Sequence, residues 1–472
     1  MPKVGYDGYQ RGMLLRPGPR LTPPGFMRGA LNVVMVGGRV RSRPGLKPAH
    51  GAAFPSPVRG MGTHVRSDGS RDYLVAAGAA LYRMPLYGDP VVLSLTTLPS
   101  TEQFRVDPTA GVRFLSLSGA DNTTFIFDGV NPNLKWNGTA LSKMGLPTPA
   151  LPDAPIAHAG AAIGAGTRDY HQTVRSAVHE SELSLPTRVT IGAAGGHEFT
   201  WPVDGVDYDD PQVTEWSLYR TQAGLAKPFW VGTATIGAVI QDHTSDFALT
   251  GGAALTGGVP AEQFVNMPPD DPNGPRAASR FVALAEHQGL VWGVDTTDRS
   301  LVRFSHGTAE YMVPEGWPWE RLLPVAHGDG DEIVALVSFH EWLVVFKQLS
   351  TWGITGSLDS TLNVLPVLAA TGGKRLGIGC VAADAILHLE NEIIFPSRDG
   401  FYLISRFASA AGGLEATKIS DPVDGLYNCT NFALGSAAVY DRSKQVYCFF
   451  GHGGLVLGLA SVLLRMIHAW GA

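Results

Sequence analysis

A hairpin that recurs about every fifty residues constrains this chain more than any other feature of it. Each copy is a short apolar run, a turn and, in all but the last, a second apolar run. Tyr73–Val75 leads to Ala80–Tyr82, Phe125–Phe127 to Leu134–Trp136, and Leu290–Trp292 to Leu301–Phe304. Leu343–Phe346 leads to Thr351–Ile354, Ile393–Phe395 leads to Phe401–Ile404, and Val446–Phe449 opens the last segment. The first two copies start 52 residues apart and the last four at spacings of 53, 50 and 53. A period near fifty suits propeller blades, four short strands whose faces are buried only against the neighbouring copy. Phe125 and Leu290, by contrast, stand 165 residues apart, which implies an insertion of about 110 residues between the second and third copies.

The composition agrees with many short strands and turns. In 472 residues there are 57 Gly and 33 Pro, against a hydrophobic fraction of 44% that is ample for a packed interior. Asp128-Gly129 and Asp399-Gly400 are hairpin-turn dipeptides, and no stretch before the C-terminal segment keeps a helical period for three turns. The fold expected is all-β: a β-propeller of about six blades with an inserted fibronectin type III or immunoglobulin-like β-sandwich. It divides into an N-terminal arm with the first propeller strands (1–60), the first blades (61–150), the insert (156–266) and the remaining blades with an apolar C-terminal segment (276–472).

Proline-rich stretches at Leu146–Pro155 and Pro268–Pro275 bound the insert. Its expected strands are Arg188–Ile191, Glu198–Trp201, Glu215–Arg220, Phe229–Gly232 and Val239–Asp242, with Trp201 and Tyr219 in the core. The small, glycine-rich run Ala157–Thr167 reads as a flexible lead-in to the module. The apolar segment Leu455–Trp470 is interrupted by Arg465 and His468 and is shorter than the roughly 20 residues a membrane-spanning helix needs. A buried element or a subunit interface is expected there, not a membrane anchor, and no clear last strand pair is visible. Met1–Arg20 has no apolar signal-like core, so the expectation is synthesis and residence in the cytosol.

Charge and motifs argue against several function classes. A net charge of -6 and a pI near 6.2 give no basic footprint for sheathing a duplex, whereas a mildly acidic wall would let nucleic acid slide past. Cys380, Cys429 and Cys448 are odd in number and far from any Cys-x-x-Cys spacing, so they read as small buried residues. His197-Glu198 and His340-Glu341 lack the second histidine of a zinc-peptidase helix, and Gly377–Ala382 lacks the helix a dinucleotide-binding turn needs. Neither a nucleophile elbow nor a P-loop occurs. The acidic groups Asp207–Asp210 and Asp329, Asp331 and Glu332 lack calcium-loop spacing and read as solvated loops, and Ser397–Gly400 reads as a structural turn. The expectation is a protein with no catalytic group, no cofactor and no metal.

Two features remain as candidate contacts. Arg39, Arg41, Arg43 and Lys47 form a basic segment, preceded by Arg11, Arg16, Arg20 and Arg28, that reads either as a solvated arm or as a contact to a neighbouring subunit or to DNA phosphates. Trp317 and Trp319 read as exposed contact residues, or else as plugs between blades.

At these residues a family resemblance enters. Asn32-Val33-Val34 followed by Gly37-Gly38-Arg39-Val40-Arg41-Ser42-Arg43-Pro44-Gly45 is similar to the opening of the nozzle, or tail tubular, proteins of short-tailed bacteriophages. Trp216–Thr221 running to Asp242 resembles that family's type III module. Gly330–Ile333 with Leu343–Phe346, and Gly379–Ala382 with Phe395–Tyr402, resemble its consecutive blades. The resemblance implies a virion tail protein assembled in the host cytoplasm, copies of which form a ring below the phage portal and adaptor. Double-stranded DNA would pass through that ring during genome ejection. The readings that compete with it are a glycan-binding or glycan-cleaving propeller and a collar or appendage protein on the virion surface.

Overall fold

A computed structural model gives the architecture. It describes residues 33–36, 39–42, 54, 56–66, 68–84, 91–93, 111–117, 122–146, 149–176, 180–181, 183–192, 197–201, 212–251, 280–307, 312–317, 321–356, 362–369, 377–405, 414–420, 427, 431–441, 446–452 and 456–460. The fold class is the one the repeat predicts, all-β with propeller-type blades and an inserted β-sandwich. Helical elements among the described residues include Asp246–Gly251 and a 3-10 turn at Ala383–Ala385.

Six sheets stand where the six copies fall. The first four are four-stranded antiparallel meanders. They comprise Val58–Val65, Arg71–Ala77, Ala80–Met84 and Val91–Leu93; then Arg113–Ser116, Thr124–Phe127, Leu134–Trp136 and Leu141–Lys143. The third comprises Phe281–His287, Leu290–Asp295, Leu301–Phe304 and Leu322–Pro324, and the fourth Ile333–Phe339, Trp342–Lys347, Thr351–Thr355 and Asn363–Pro366. The fifth holds Leu387–Leu389, Glu392–Ser397, Gly400–Ser405 and Glu415–Lys418, with the short Leu368–Ala369 added in parallel. The sixth holds Asn431–Asp441, Val446–His452 and Val456–Ala460. The apolar runs seen in the sequence are the second and third strands of each blade. At the C-terminus, where no last strand pair was expected, a three-stranded sheet stands instead.

The chain separates into two compact units, His50–Pro324 and Met1–Ala49 with Val325–Ala472. In the first unit, strand alternation explains why the runs are apolar on consecutive positions. Ile126 faces Leu74, Ala76 and Leu81 of the first blade, while Phe125 and Phe127 face Phe281, Leu284 and Val291 of the third. A middle strand buried on both faces needs no polar phase. Gly60 and Gly62 permit the close approach of the first two blades, since a Cβ at Gly60 would stand 1.9 Å from the Val112 carbonyl oxygen and one at Gly62 2.3 Å from Phe114. In the second unit, Val344 and Phe346 of the fourth blade pack on Ile393 and Phe395 of the fifth, whose other face carries Ile394, Phe401 and Leu403. Each such side chain stabilises the fold by roughly 1.5–3 kcal/mol.

The insert is a sandwich of two sheets. One has the order Ile156–Ile163, His197–Trp201, Ile240–Asp242; the other Thr187–Ile191, Gly166–Arg175, Glu215–Thr221, Pro228–Thr235. Its core is Ile163, Tyr170, Ile191, Phe199, Trp201, Trp216, Leu218 and Ile240. Trp201 lies in this core as expected; Tyr219 is also buried, but its hydroxyl donates to Glu180, 2.7 Å away, on the opposite face of its strand. The expected flexible lead-in is a correction. Ala157 to Ile163 belongs to an edge strand paired with His197–Trp201, because an edge position tolerates small side chains while the backbone ladder supplies the bonds. Leu146, at the start of the proline-rich stretch, packs on Val174 and Val213.

Candidate assembly surface on the inserted sandwich

Alternation along two facing strands brings charges to one end of the sandwich interior. On Glu215–Thr221 the core phase is Trp216, Leu218 and Arg220, and on Ile240–Asp242 it is Ile240 and Asp242, with Gln241 outward. Arg220 and Asp242 therefore meet, both at 0% side-chain exposure, with Nε 2.8 Å from Oδ2. The Tyr170 hydroxyl donates to the same Oδ2 at 2.8 Å, and the Asp242 Oδ1 accepts from the Thr244 amide at 3.1 Å. Burial, reinforced by the Asp242 carboxylate, pushes the Tyr170 phenol far above its ordinary value and keeps it a donor.

A second carboxylate completes the network. Asp246 accepts from Arg220 Nη1 at 2.6 Å, from Arg168 Nε at 2.9 Å and Nη2 at 2.8 Å, and from the Ala223 amide at 3.1 Å. Arg168 also donates to the Gly164 carbonyl at 2.9 Å, and Arg220 Nη2 to the Thr244 carbonyl at 2.6 Å. Burial alone would raise the Asp246 carboxyl, but the bonds from Arg168, the Ala223 amide and Arg220 outweigh it and hold it at about 2. Charge-assisted bonds of this kind fix geometry as well as energy.

The network ties three backbone segments together: the start of Gly166–Arg175, the 222–227 turn and the short helix at Asp246. Two large apolar side chains project from those tied segments, Leu225 at 56% exposure and Phe247 at 90%. They stand on backbone that the ion pairs of Arg168 and Arg220 with Asp246 tie to the sandwich. The other end of the insert is seated on the second blade. Gln212 donates to the Lys143 and Gly145 carbonyls at 3.0 and 2.9 Å, and Gln172 donates to the Ala150 carbonyl at 2.8 Å.

The residues singled out from the sequence fall elsewhere. Arg39 and Arg41 lie in the strand Arg39–Ser42, opposite Val36 and Val34 in register, whereas Arg43, Lys47 and Trp319 lie outside the described residues. Trp317 follows the second of its two expected roles, a plug between blades, and not that of an exposed contact. It is 2% exposed, with its ring 4.8 Å from that of Phe281 in the cluster between the second and third blades, because a large ring stabilises most where sheet faces converge. Asp329 and Asp331 are not merely solvated loop residues. The Lys347 ammonium, fully buried, donates to both Asp329 oxygens at 2.7 and 2.8 Å, and Asp331 accepts from the Leu349 amide and the Ser350 hydroxyl. Asp207–Asp210 lies outside the described residues, and no group of three or more metal-binding side chains occurs among the described ones. Ser397–Gly400 is a hairpin turn in which the Tyr402 hydroxyl donates to Asp399 at 3.0 Å.

No family model and no curated protein matches the chain. Among solved structures it is similar to catalytically inactive virginiamycin B lyase from Staphylococcus aureus, at 9% identity and TM-score 0.31, over 86% of this chain and 95% of that one. It is also similar to apo AztD from Citrobacter koseri, at 10% identity and TM-score 0.31, over 83% of each. A third is the extracellular domain of a one-component system from B. thetaiotaomicron, at 11% identity and TM-score 0.26, over 88% of this chain but only 56% of that one. At such scores nothing about this chain follows from what those proteins do, and its fold class rests on its own sheets.

Proposed function

We propose that this chain is a structural virion protein of a bacteriophage tail, one subunit of a ring-shaped nozzle or connector through which double-stranded DNA passes. The observation that carries the reading is the insert. It interrupts the blade repeat after the second blade, it is bonded to that blade at one end, and at the other it presents Leu225 and Phe247 on backbone locked by buried ion pairs. A module held this way is suited to contact with copies of the same chain or with portal and adaptor proteins, where preorganised apolar anchors at a rigid surface favour affinity. The order of the modules supports the same reading, since the arginine-bearing strand, two blades, a type III-like insert and further blades follow the arrangement that the family resemblance implies. A subunit of this kind works by geometry, closing a ring through heterologous contacts.

The test is whether the chain belongs to particles. Purified virions are analysed by mass spectrometry, and a tagged chain is located on them by electron microscopy. The reading predicts several copies per virion and a label on the tail axis below the head. Absence from virions, or a label scattered over the head surface, contradicts it.

A further inference from the structure

His340-Glu341 lacks a second histidine four residues on, but the fold brings one to it from the neighbouring blade. These two residues form the turn between Ile333–Phe339 and Trp342–Lys347. Phe339 and Trp342 are paired in register, so the backbone of His340, at φ 54°, is held from both sides. His388 is the middle residue of Leu387–Leu389 in the fifth blade. Leu387 and Leu389 pack with Ile394, Phe401 and Leu403 on one face of that blade. Alternation puts His388 on the other face, opposite Ile393, which packs against the fourth blade.

Both imidazoles meet one buried ring. The centroid of Phe339, a residue 1% exposed, lies 4.8 Å from that of His340 and 5.9 Å from that of His388, edge-on in each case. Both histidines are otherwise open to solvent. They are near enough for charge to couple, since desolvation lowers the His388 imidazole from its ordinary value and the charge of His340 lowers it further. Glu341 and Glu390, exposed in the turns of the same two blades, add negative charge that favours a cation.

We propose that His340 and His388 together bind a divalent transition-metal ion such as zinc at the junction of the fourth and fifth blades. Imidazole nitrogen suits zinc, copper and nickel, whereas magnesium and calcium take oxygen ligands. Two imidazoles are fewer than the closed ligand sets of structural zinc sites, so water fills the remaining positions and the ion exchanges. The shared Phe339 ring confines both side chains to one small area, which reduces the entropy lost when an ion joins them.

The test is titration of zinc into the metal-free full chain at neutral pH, in competition with a chromogenic chelator. His340→Asn keeps a residue type that tolerates positive φ, and His388→Gln changes an exposed position. Each should weaken zinc binding by more than the about tenfold that losing an outer-shell partner of a metal site costs. His327→Gln, at another exposed histidine of the same unit, should leave binding unchanged, and magnesium should not displace zinc. In the native chain zinc should shield His340 and His388, and not His327, from diethyl pyrocarbonate, read by peptide mass spectrometry. That readout needs no variant to fold. Native affinity in either variant, an equal loss in His327→Gln, no zinc bound by the native chain, or equal modification with and without zinc would each overturn the proposal.

Discussion

The blades and the inserted sandwich are both antiparallel β-structure, yet they close their interiors by different chemistry. Between blades, alternate residues of one strand serve two neighbours, as Ile126 does on one side and Phe125 with Phe127 on the other, in apolar clusters with isolated polar links such as His64 to Thr124 and Lys135 to Glu315 beside them. In the sandwich the apolar core of Trp201, Trp216 and Leu218 ends at a layer of ions, Arg168, Arg220, Asp242 and Asp246. A repeat can rely on area, because every blade meets another like itself. A single inserted module has no such neighbour, and the ion layer specifies where its last strand and its exit helix lie. Desolvating those charges is costly, and the network offsets the cost by giving nearly every carboxylate lone pair a donor.

The largest expected effect breaks that layer. Arg220→Ala leaves Asp242 buried at 0% exposure with its cation gone, and should destabilise the sandwich by about 3–5 kcal/mol in denaturant melts followed by tryptophan fluorescence. A loss below about 1 kcal/mol would show that the ions are incidental to the module. The matching blade variant, Leu74→Ala, removes a side chain at 0% exposure between the first two blades and should cost about 3 kcal/mol, with the sandwich left folded. If both variants melted everything together, the two regions would not be energetically distinct.

Acid should separate the regions next. His287, in the third blade, is held by burial at about 4, below its ordinary 6.5. The unfolded chain thus binds a proton that the folded blade refuses, so stability is full above about pH 6.5 and falls as pH drops toward 4, by about 2 kcal/mol at pH 5. His64 and His388, also in blades, are lowered in the same direction, chiefly by burial. Asp246 is depressed instead, so its contribution persists until pH falls below about 4 and is lost toward 2. Limited proteolysis at pH 5 should cut blade segments before the sandwich; cleavage in the sandwich first would reverse the assignment.

How much of this the sequence made legible follows the same division. Five hairpins and the run in the sixth sheet were visible because a face buried on both sides leaves continuous apolar runs at a fixed spacing, and five of the seven insert strands could be located from their β-branched and aromatic residues. The strands at Ile156–Ile163 and Gly166–Arg175 were not, since the first is half alanine and carries no β signal, the second is polar at most positions, and both pair non-locally. The ion layer was hidden for a related reason. Arg168, Arg220, Asp242 and Asp246 are scattered over nearly eighty residues and meet only when two sheets are stacked. The one local hint is parity, which puts Arg220 two positions beyond Leu218 and four beyond Trp216 on the core phase. Trp317 stayed ambiguous because Pro-Glu-Gly-Trp-Pro-Trp looks like surface loop, while its ring is drawn into the junction with Phe281.

The smallest effect on stability is expected at the sandwich surface. Phe247→Ser changes a side chain at 90% exposure and should alter unfolding free energy by less than about 0.5 kcal/mol, while weakening self-association measured by sedimentation. Unchanged association would remove Phe247 from the contact.

The most direct test of an assembly role is electron microscopy of the purified chain over a range of concentrations. The account predicts closed rings with an axial hole wide enough for duplex DNA, the inserted sandwiches lying at the contacts between subunits. Particles that stay monomeric at every concentration, beside virions that lack the chain, would contradict it.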